Sequence, residues 1–285
     1  MSTIDTVGQL GGFGASASDL TSVPRNALTV AGKAANVVQA LGYAGGAAAT
    51  LAGVGMMGAG VHTVLANWSD RPTRRDGAYT ALGGAAYATL GASFIASFAG
   101  KSAALPALGW SGVATGVLLG VRTAYRISEN YQFRSRFAEA RNGDETTFKQ
   151  FLNRELQTYG CFDRIVGGEN REKIEAYAYG KAGAVSREEI EELIDKSSFA
   201  NLMLHFLVAL LLVAWMAAMI YFLVDPSSTA VNYLFMVPSA IWLLNDTKGV
   251  PVLRHVNLGF AKLMHRVLAV KNKHFPPPLY QRLPT

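Results

Sequence analysis

Charged residues come in blocks along this chain, separated by long uncharged stretches. No Asp, Glu, Lys or Arg occurs between Lys33 and Asp70, a stretch of 36 residues. Others run from Gly77 to Gly100 (24 residues), Ser102 to Val121 (20), Ser197 to Val224 (28) and Pro226 to Asn245 (20). About 20 predominantly apolar helical residues cross the roughly 30 Å hydrocarbon core of a bilayer, so every stretch is long enough. The pattern predicts an all-α, multi-spanning helical membrane protein with two hydrophobic hairpin blocks and a small central helical polar domain.

The stretches differ in kind. "FLVALLLVAWMAAMIYFLV" (206–224) is dense in Leu, Val, Met and aromatic residues and inserts strongly on any transfer scale. "DPSSTAV" (225–231) allows only a tight turn before "NYLFMVPSAIWLLN" (232–245), where Pro238 introduces a kink. These form a helical hairpin. Residues 77–121 read as another, turning near "GKSAALP" (100–106), with Pro106 suited to the first turn of the returning helix. Residues 34–69 either cross once or form two short arms.

Five regions follow: a flexible Ser/Thr/Gly-rich N-terminus (1–33), a Gly/Ala-rich membrane block (34–121), a polar helical domain (122–196), a membrane hairpin (197–245) and a basic, Pro-rich tail (246–285). The polar region holds 13 basic and 14 acidic residues. Within it, "DETTFKQFLNRELQTYG" places Phe148, Phe151, Leu152, Leu156 and Tyr159 on one helical face before a glycine stop. "ENREKIEAYAYGKAG" reads as a further helix. "SREEIEELID" opens with a Ser186/Glu189 capping box and leads into the apolar stretch behind it.

"LAGVGMMGAG" (51–60) contains G-x-G-x-x-G at Gly53, Gly55 and Gly58. A dinucleotide-binding turn needs a preceding strand, and an acid some twenty residues on; here the glycines sit inside an uncharged helical stretch. They read instead as a packing face. In lipid, small residues four apart let helix backbones approach and gain dispersion contacts. Gly42 and Gly46 have that spacing, Gly53 continues a small-residue series through Gly45 and Ala49, and Gly112, Gly116 and Gly120 form a third. Such faces also allow self-association into a homo-oligomer. A soluble Ala/Gly-rich bundle is the alternative, but it needs a polar solvent face that these segments lack.

Charge then suggests orientation. Basic residues flanking spans stay on the cytoplasmic side. Arg71, Arg74 and Arg75, then Arg122, Arg126, Arg134 and Arg136, and finally the basic tail all fall on one side if 77–121 and 197–245 are hairpins. The residues before Lys33 join that side only if 34–69 re-enters or forms a hairpin.

Half the residues are hydrophobic, 16% are charged and mean hydropathy is +0.20. The net charge of +6 lies in the tail: from Thr247 onward there are seven Lys or Arg and no acid. A nucleic-acid partner is not expected from a charge so placed. The single Cys161 leaves neither an intramolecular disulfide nor a cysteine-cluster metal site. No H-E-x-x-H, P-loop, G-x-S-x-G or kinase signature occurs, so a non-enzymatic protein without cofactor is expected. His62, His205 and Asn232 are the polar candidates for a path through the membrane.

Residues 252–271 form a basic amphipathic helix. Leu253, Val256, Phe260, Leu263, Met264 and Val267 share a face, while Arg254, Lys262 and Arg266 lie away from it and Lys271 and Lys273 follow. It either lies on an anionic membrane surface or packs on the polar domain. "PPPLY" (276–280) contains a P-P-x-Y element at Pro277, Pro278 and Tyr280, which reads either as a chance proline-rich terminus or as the polyproline form that WW domains dock. The N-terminus "MSTIDTVGQLGGFGASASDLTSVP" has no basic n-region or compact apolar core, and reads either as a type III secretion signal or as a plain flexible start.

The closely spaced hydrophobic hairpin (206–224, 225–231, 232–245) together with that N-terminus resembles the chlamydial inclusion membrane proteins and their bilobed hydrophobic domain. The resemblance covers the hairpins and termini. It implies type III secretion, insertion in a host vacuole membrane, and polar parts facing host cytosol; host cytosolic proteins are then the expected partners, with a WW-domain protein added by the P-P-x-Y element alone. This chain differs in having two hydrophobic blocks and a central polar domain. The expected function is an interaction platform held in a lipid bilayer; the alternative is a small channel or permease-like protein.

Overall fold

The computed structural model describes residues 18–235, apart from 19, 23, 30, 33, 158–160, 182–184, 229 and 231. These residues form helices and connections, with no strand among them. Seven helices follow in order: α1 (Ala35–Ala66), α2 (Arg71–Phe98), α3 (Ala104–Arg141), α4 (Glu145–Gln157), α5 (Cys161–Val166), α6 (Gly168–Ala178) and α7 (Arg187–Val224). Helices α1, α2, α3 and α7 are each long and apolar enough to cross a membrane. Their outer faces expose large apolar side chains, among them Leu51, Leu65, Leu82, Leu210 and Val213. A face of that size needs hydrocarbon, not water, against it. The chain is a multi-spanning helical membrane protein.

Residues 34–69, open to two readings from sequence, contain one uninterrupted helix, α1. A second difference lies before it. Where the sequence predicts a flexible terminus up to residue 33, the described residues within 18–29 are helical, and Ser18 and Asn26 are buried. They pack on α1, where the Thr21 hydroxyl occupies the space a side chain at Gly45 would need. The Ser22 hydroxyl donates back to the Ser18 carbonyl (2.8 Å) and that of Thr29 to the Arg25 carbonyl (2.9 Å), so these residues satisfy their own polarity along the helix.

The closest packing is between α1 and α2. Gly46, Gly53 and Gly60 recur every seven residues on α1, and Gly77, Gly84 and Gly91 do so on α2. The helices run antiparallel, so Gly46 meets Gly91, Gly53 meets Gly84, and Gly60 meets Gly77. A Cβ on Gly53 would stand 2.6 Å from the Gly84 carbonyl oxygen, and one on Gly60 2.6 Å from that of Gly77. Backbone touches backbone along the seam, as small residues permit in lipid. Gly42 adds a contact of another kind, with the Phe98 ring lying where its side chain would be.

Helix α3 packs on both α2 and α7. Its Gly112 and Gly116 receive Met219 and Met216 of α7, and the Trp215 indole N–H donates to the Gly112 carbonyl (3.3 Å). Gly109 joins this face against Leu223. Gly120, expected on the same face, has no neighbour within 4 Å. A side chain added at that position would meet open space, although α3 and α7 stay in contact farther along.

At 38 residues, α3 and α7 are each about 57 Å long, nearly twice the hydrocarbon thickness. Both run unbroken from the membrane block into the polar domain. The Ser186 capping box is formed in both directions and starts α7 at Arg187. Helices α4, α5 and α6 close around the protruding halves of α3 and α7. Fourteen buried residues make up this core, including Phe133 and Phe137 of α3, Phe148 and Leu152 of α4, Phe162 of α5, Ile174 of α6, and Ile190 and Ile194 of α7. Phe148, Leu152 and Leu156 lie on the face the periodicity indicates, with Phe151 packed against the cluster. Tyr159 lies outside the described residues.

Candidate interaction domain and its charged junction with the membrane

The polar domain meets the membrane block through a belt of charge. Asp76, in the second turn of α2, is the last charged residue before the Gly77–Gly100 stretch. Arg122 and Arg126 lie one turn apart on α3 and both grip it. Arg122 Nε and Nη2 donate to the two carboxylate oxygens at 2.9 and 3.1 Å, and Arg126 does the same at 2.9 Å each. Planar guanidinium forks match a carboxylate bidentately, which gives both strength and a fixed angle. Arg164 of α5 reaches the same carboxylate at 3.4 Å, and Glu129 of α3 at 3.5 Å. Arg75 donates to Glu129 at 2.7 Å while its guanidinium lies 3.7 Å over the Tyr125 ring. Four arginines surround two acids, which leaves the cluster two charges positive.

Neutral groups extend the belt to α7. The Asn130 amide donates to the Ser198 carbonyl (3.1 Å) and to Asn201 Oδ1 (3.0 Å), and Asn201 in turn donates to the Arg164 carbonyl (2.7 Å). Arg134 donates to the Asp195 carboxylate (2.8 Å) and the Ser198 hydroxyl (2.7 Å). One connected set of side chains therefore ties α2, α3, α5 and α7 at the level where they leave the membrane. Trp68 lies beside it, 65% exposed, under the Arg74 guanidinium (4.9 Å), as aromatic residues do at a headgroup boundary.

Farther out, ion pairs brace the domain itself. Arg136 pairs bidentately with the buried Glu155 (2.9 and 3.1 Å), and Arg171 joins Asp163 of α5 to Glu175 of α6. The Tyr177 hydroxyl donates to the Glu145 carboxylate at 2.8 Å. Burial, and then that carboxylate, push the Tyr177 phenol above its ordinary value, while the phenol's hydrogen bond holds Glu145 below the usual carboxylate range. The outer surface carries Tyr131 and Tyr179, exposed by 70% and 56%, with Glu172, Glu188, Glu189 and Glu192 also exposed.

The structure gathers the arginines of the start of α2 and of α3 at one end of the block. The α2–α3 turn near Lys101 and the turn at Asp225 lie together at the far end, where Gly109 meets Leu223. Because α1 is a single helix whose Gln39 bonds the Phe98 carbonyl (3.3 Å), the residues before it also lie at the far end. The polar candidates for a membrane path do not converge. His62 is exposed on α1, His205 bonds the Asn201 carbonyl of its own helix (2.8 Å), and Asn232 lines a cavity at the far end. No group of three His, Cys, Asp or Glu among the described residues is placed to hold a metal. The tail residues Arg254, Lys262, Arg266, Lys271 and Lys273, and Pro277, Pro278 and Tyr280, lie outside the described residues.

Sequence reasoning treated Arg75, Arg122 and Arg126 as markers of orientation and missed their partners, Glu129 for the first and Asp76 for the other two. The available signal was an R-x-x-x-R pair on one helix face, with a lone acid heading the preceding span. Comparison with known proteins returns no match, whether to a family model, a curated protein or a solved structure.

Proposed function

We propose that this protein is a non-enzymatic integral membrane protein whose polar helical domain serves as an interaction platform fixed rigidly to its spans. The observation that carries this reading is the continuity of α3 and α7. Each supplies both a membrane span and part of the domain's own fourteen-residue core. The charged belt then removes the hinge that a linker would introduce. Exposed tyrosines among acidic side chains suit protein contact, since tyrosine gives large contact area at low entropic cost. On the resemblance to inclusion membrane proteins, this face points to host cytosol and the partners are host proteins.

Labelling of single cysteines in a Cys161→Ser background tests the platform. Cysteines at Arg74 and Ser186 are expected to react from one side of the membrane, and one at Ser227 only from the other. A photo-crosslinker at Tyr131 or Tyr179 should then trap the same partner from cytosol in repeated trials. Labelling of 74 and 186 from opposite sides would sink the arrangement.

A further inference from the structure

At the far end, a partly open cavity of about 280 Å³ lies between α1, α2, α3, α7 and the helical residues within 18–29. Leu90, Phe94, Leu108, Trp215, Met219 and Phe222 give it an apolar wall. Its size is at the small end of ligand pockets, which run from about 300 Å³ upward and pair apolar walls with a few placed polar groups. Here the placed group is Arg25. Its guanidinium lies 4.3 Å from the Phe94 ring centroid, held by Nε and Nη2 donating to Asn26 Oδ1 at 3.1 and 2.8 Å. Asn26 is fully buried, and its amide nitrogen has no hydrogen-bond partner. No acid among the described residues forms an ion pair with Arg25; the other polar groups lining the cavity, Ser18, Ser22, Ser97, Thr29 and Asn232, are neutral.

A cation beside an apolar, lipid-level cavity selects an amphiphile. We propose that the cavity binds one alkyl chain carrying an anionic head, with the chain against Leu90, Leu108 and Met219 and the head paired to Arg25. The chain removes apolar wall from water and lipid voids, and the head supplies an anionic acceptor for a guanidinium whose hydrogen bonds among the described residues go to a neutral amide. A free fatty-acid carboxylate and a chain of an anionic phospholipid share this chemistry. The cavity lies at the opposite end from the polar domain, so binding here and partner capture there stand or fall separately.

Trp215 in the wall gives a direct readout. The full chain, in discs of zwitterionic phosphatidylcholine, is titrated with dodecanoate brominated at its end. A saturable component of tryptophan quenching is expected, and it disappears in Trp215→Phe. Arg25→Gln weakens that component by about tenfold or more, the scale of losing a charge-assisted contact, while Arg25→Lys largely retains it. Dodecanol competes weakly against the wild type and equally weakly against Arg25→Gln. Phosphatidylglycerol added to the discs displaces the probe if a phospholipid is the source, and leaves it bound if a free fatty acid is. Absence of a saturable component, or dodecanol displacing the probe as well as dodecanoate does, overturns the proposal.

Discussion

Replacing Gly53 by alanine adds a single methyl group where α1 and α2 touch backbone to backbone. That carbon would sit 2.6 Å from the Gly84 carbonyl oxygen, where ordinary contact begins at 3.4 Å. The obstacle is backbone, with the Ala88 nitrogen closer still, so no side chain can swing aside, and the helices must part by about 1 Å or more. A gap of that size forfeits a quarter to a half of each dispersion well along the seam, and overpacking of this kind costs about 1–3 kcal/mol. Alanine's better helix propensity returns about 1 kcal/mol. Because the glycine pairs lie on one straight seam, the separation spreads to Gly46–Gly91 and Gly60–Gly77, and the net loss falls near 2 kcal/mol. Gly120→Ala is the matched control, with the same chemistry, on a neighbouring helix and with no atom within 4 Å. It should be neutral or slightly stabilising. Unfolding in mixed micelles by increasing SDS fraction, followed by tryptophan emission, measures both. Equal midpoints for Gly53→Ala and the wild type, or equal losses for the two variants, would refute the account of the seam.

Asp76→Asn leaves Arg122, Arg126 and Arg164 facing one another. Its side chain is 15% exposed, between a buried pair and a surface one, so a loss of about 1–3 kcal/mol is expected in the same SDS titration, and Arg122→Gln in that background should cost less than it does alone. Phe148→Ala removes a fully buried ring in contact with Phe137, Phe151 and Tyr177, and a loss of about 3–5 kcal/mol should expose residues 122–196 of the full chain to limited proteolysis while the spans stay protected. Tyr177 titrates higher in the folded protein than its ordinary 10.0, so its contribution is complete below that pH and is lost as pH rises beyond it. Thermal stability of the polar domain in the full chain should therefore fall above about pH 10, and Tyr177→Phe should flatten that slope.

Uncharged length was the most legible signal in the sequence. Charge spacing alone located α2, α3 and α7, because an ion in hydrocarbon is costly and each helix excludes it along its whole span. The Phe148 face and the Ser186 cap were readable for a similar reason, since both depend on residues three or four apart within one helix. What escaped depends on pairing between helices. The four-residue glycine spacing drew notice to Gly42, Gly46 and Gly53, yet the working repeat is seven, and it emerges only when α1 is laid against α2. Gly120 shows the converse, since a motif continued by sequence meets open space there. Asp76 and its arginines are more than forty residues apart and meet only after three elements have packed. The cavity needed the residues around Arg25, whose Ser, Thr and Pro content argues locally against a helix and which are held by Gly45 and Phe94.

The seven-residue spacing on both arms leaves the α1–α2 seam short of a unique alignment. Sliding one helix past the other by a heptad, about 10.5 Å, would still match two of the three glycine pairs. Like a vernier with coarse marks, the seam sets how near the helices lie but only weakly where along each other they stop. That choice falls to the four residues between Ala66 and Arg71, and to the Gln39 amide, which donates to the Phe98 carbonyl (3.3 Å) at the other end of the seam. Close approach and register are thus specified by different residues.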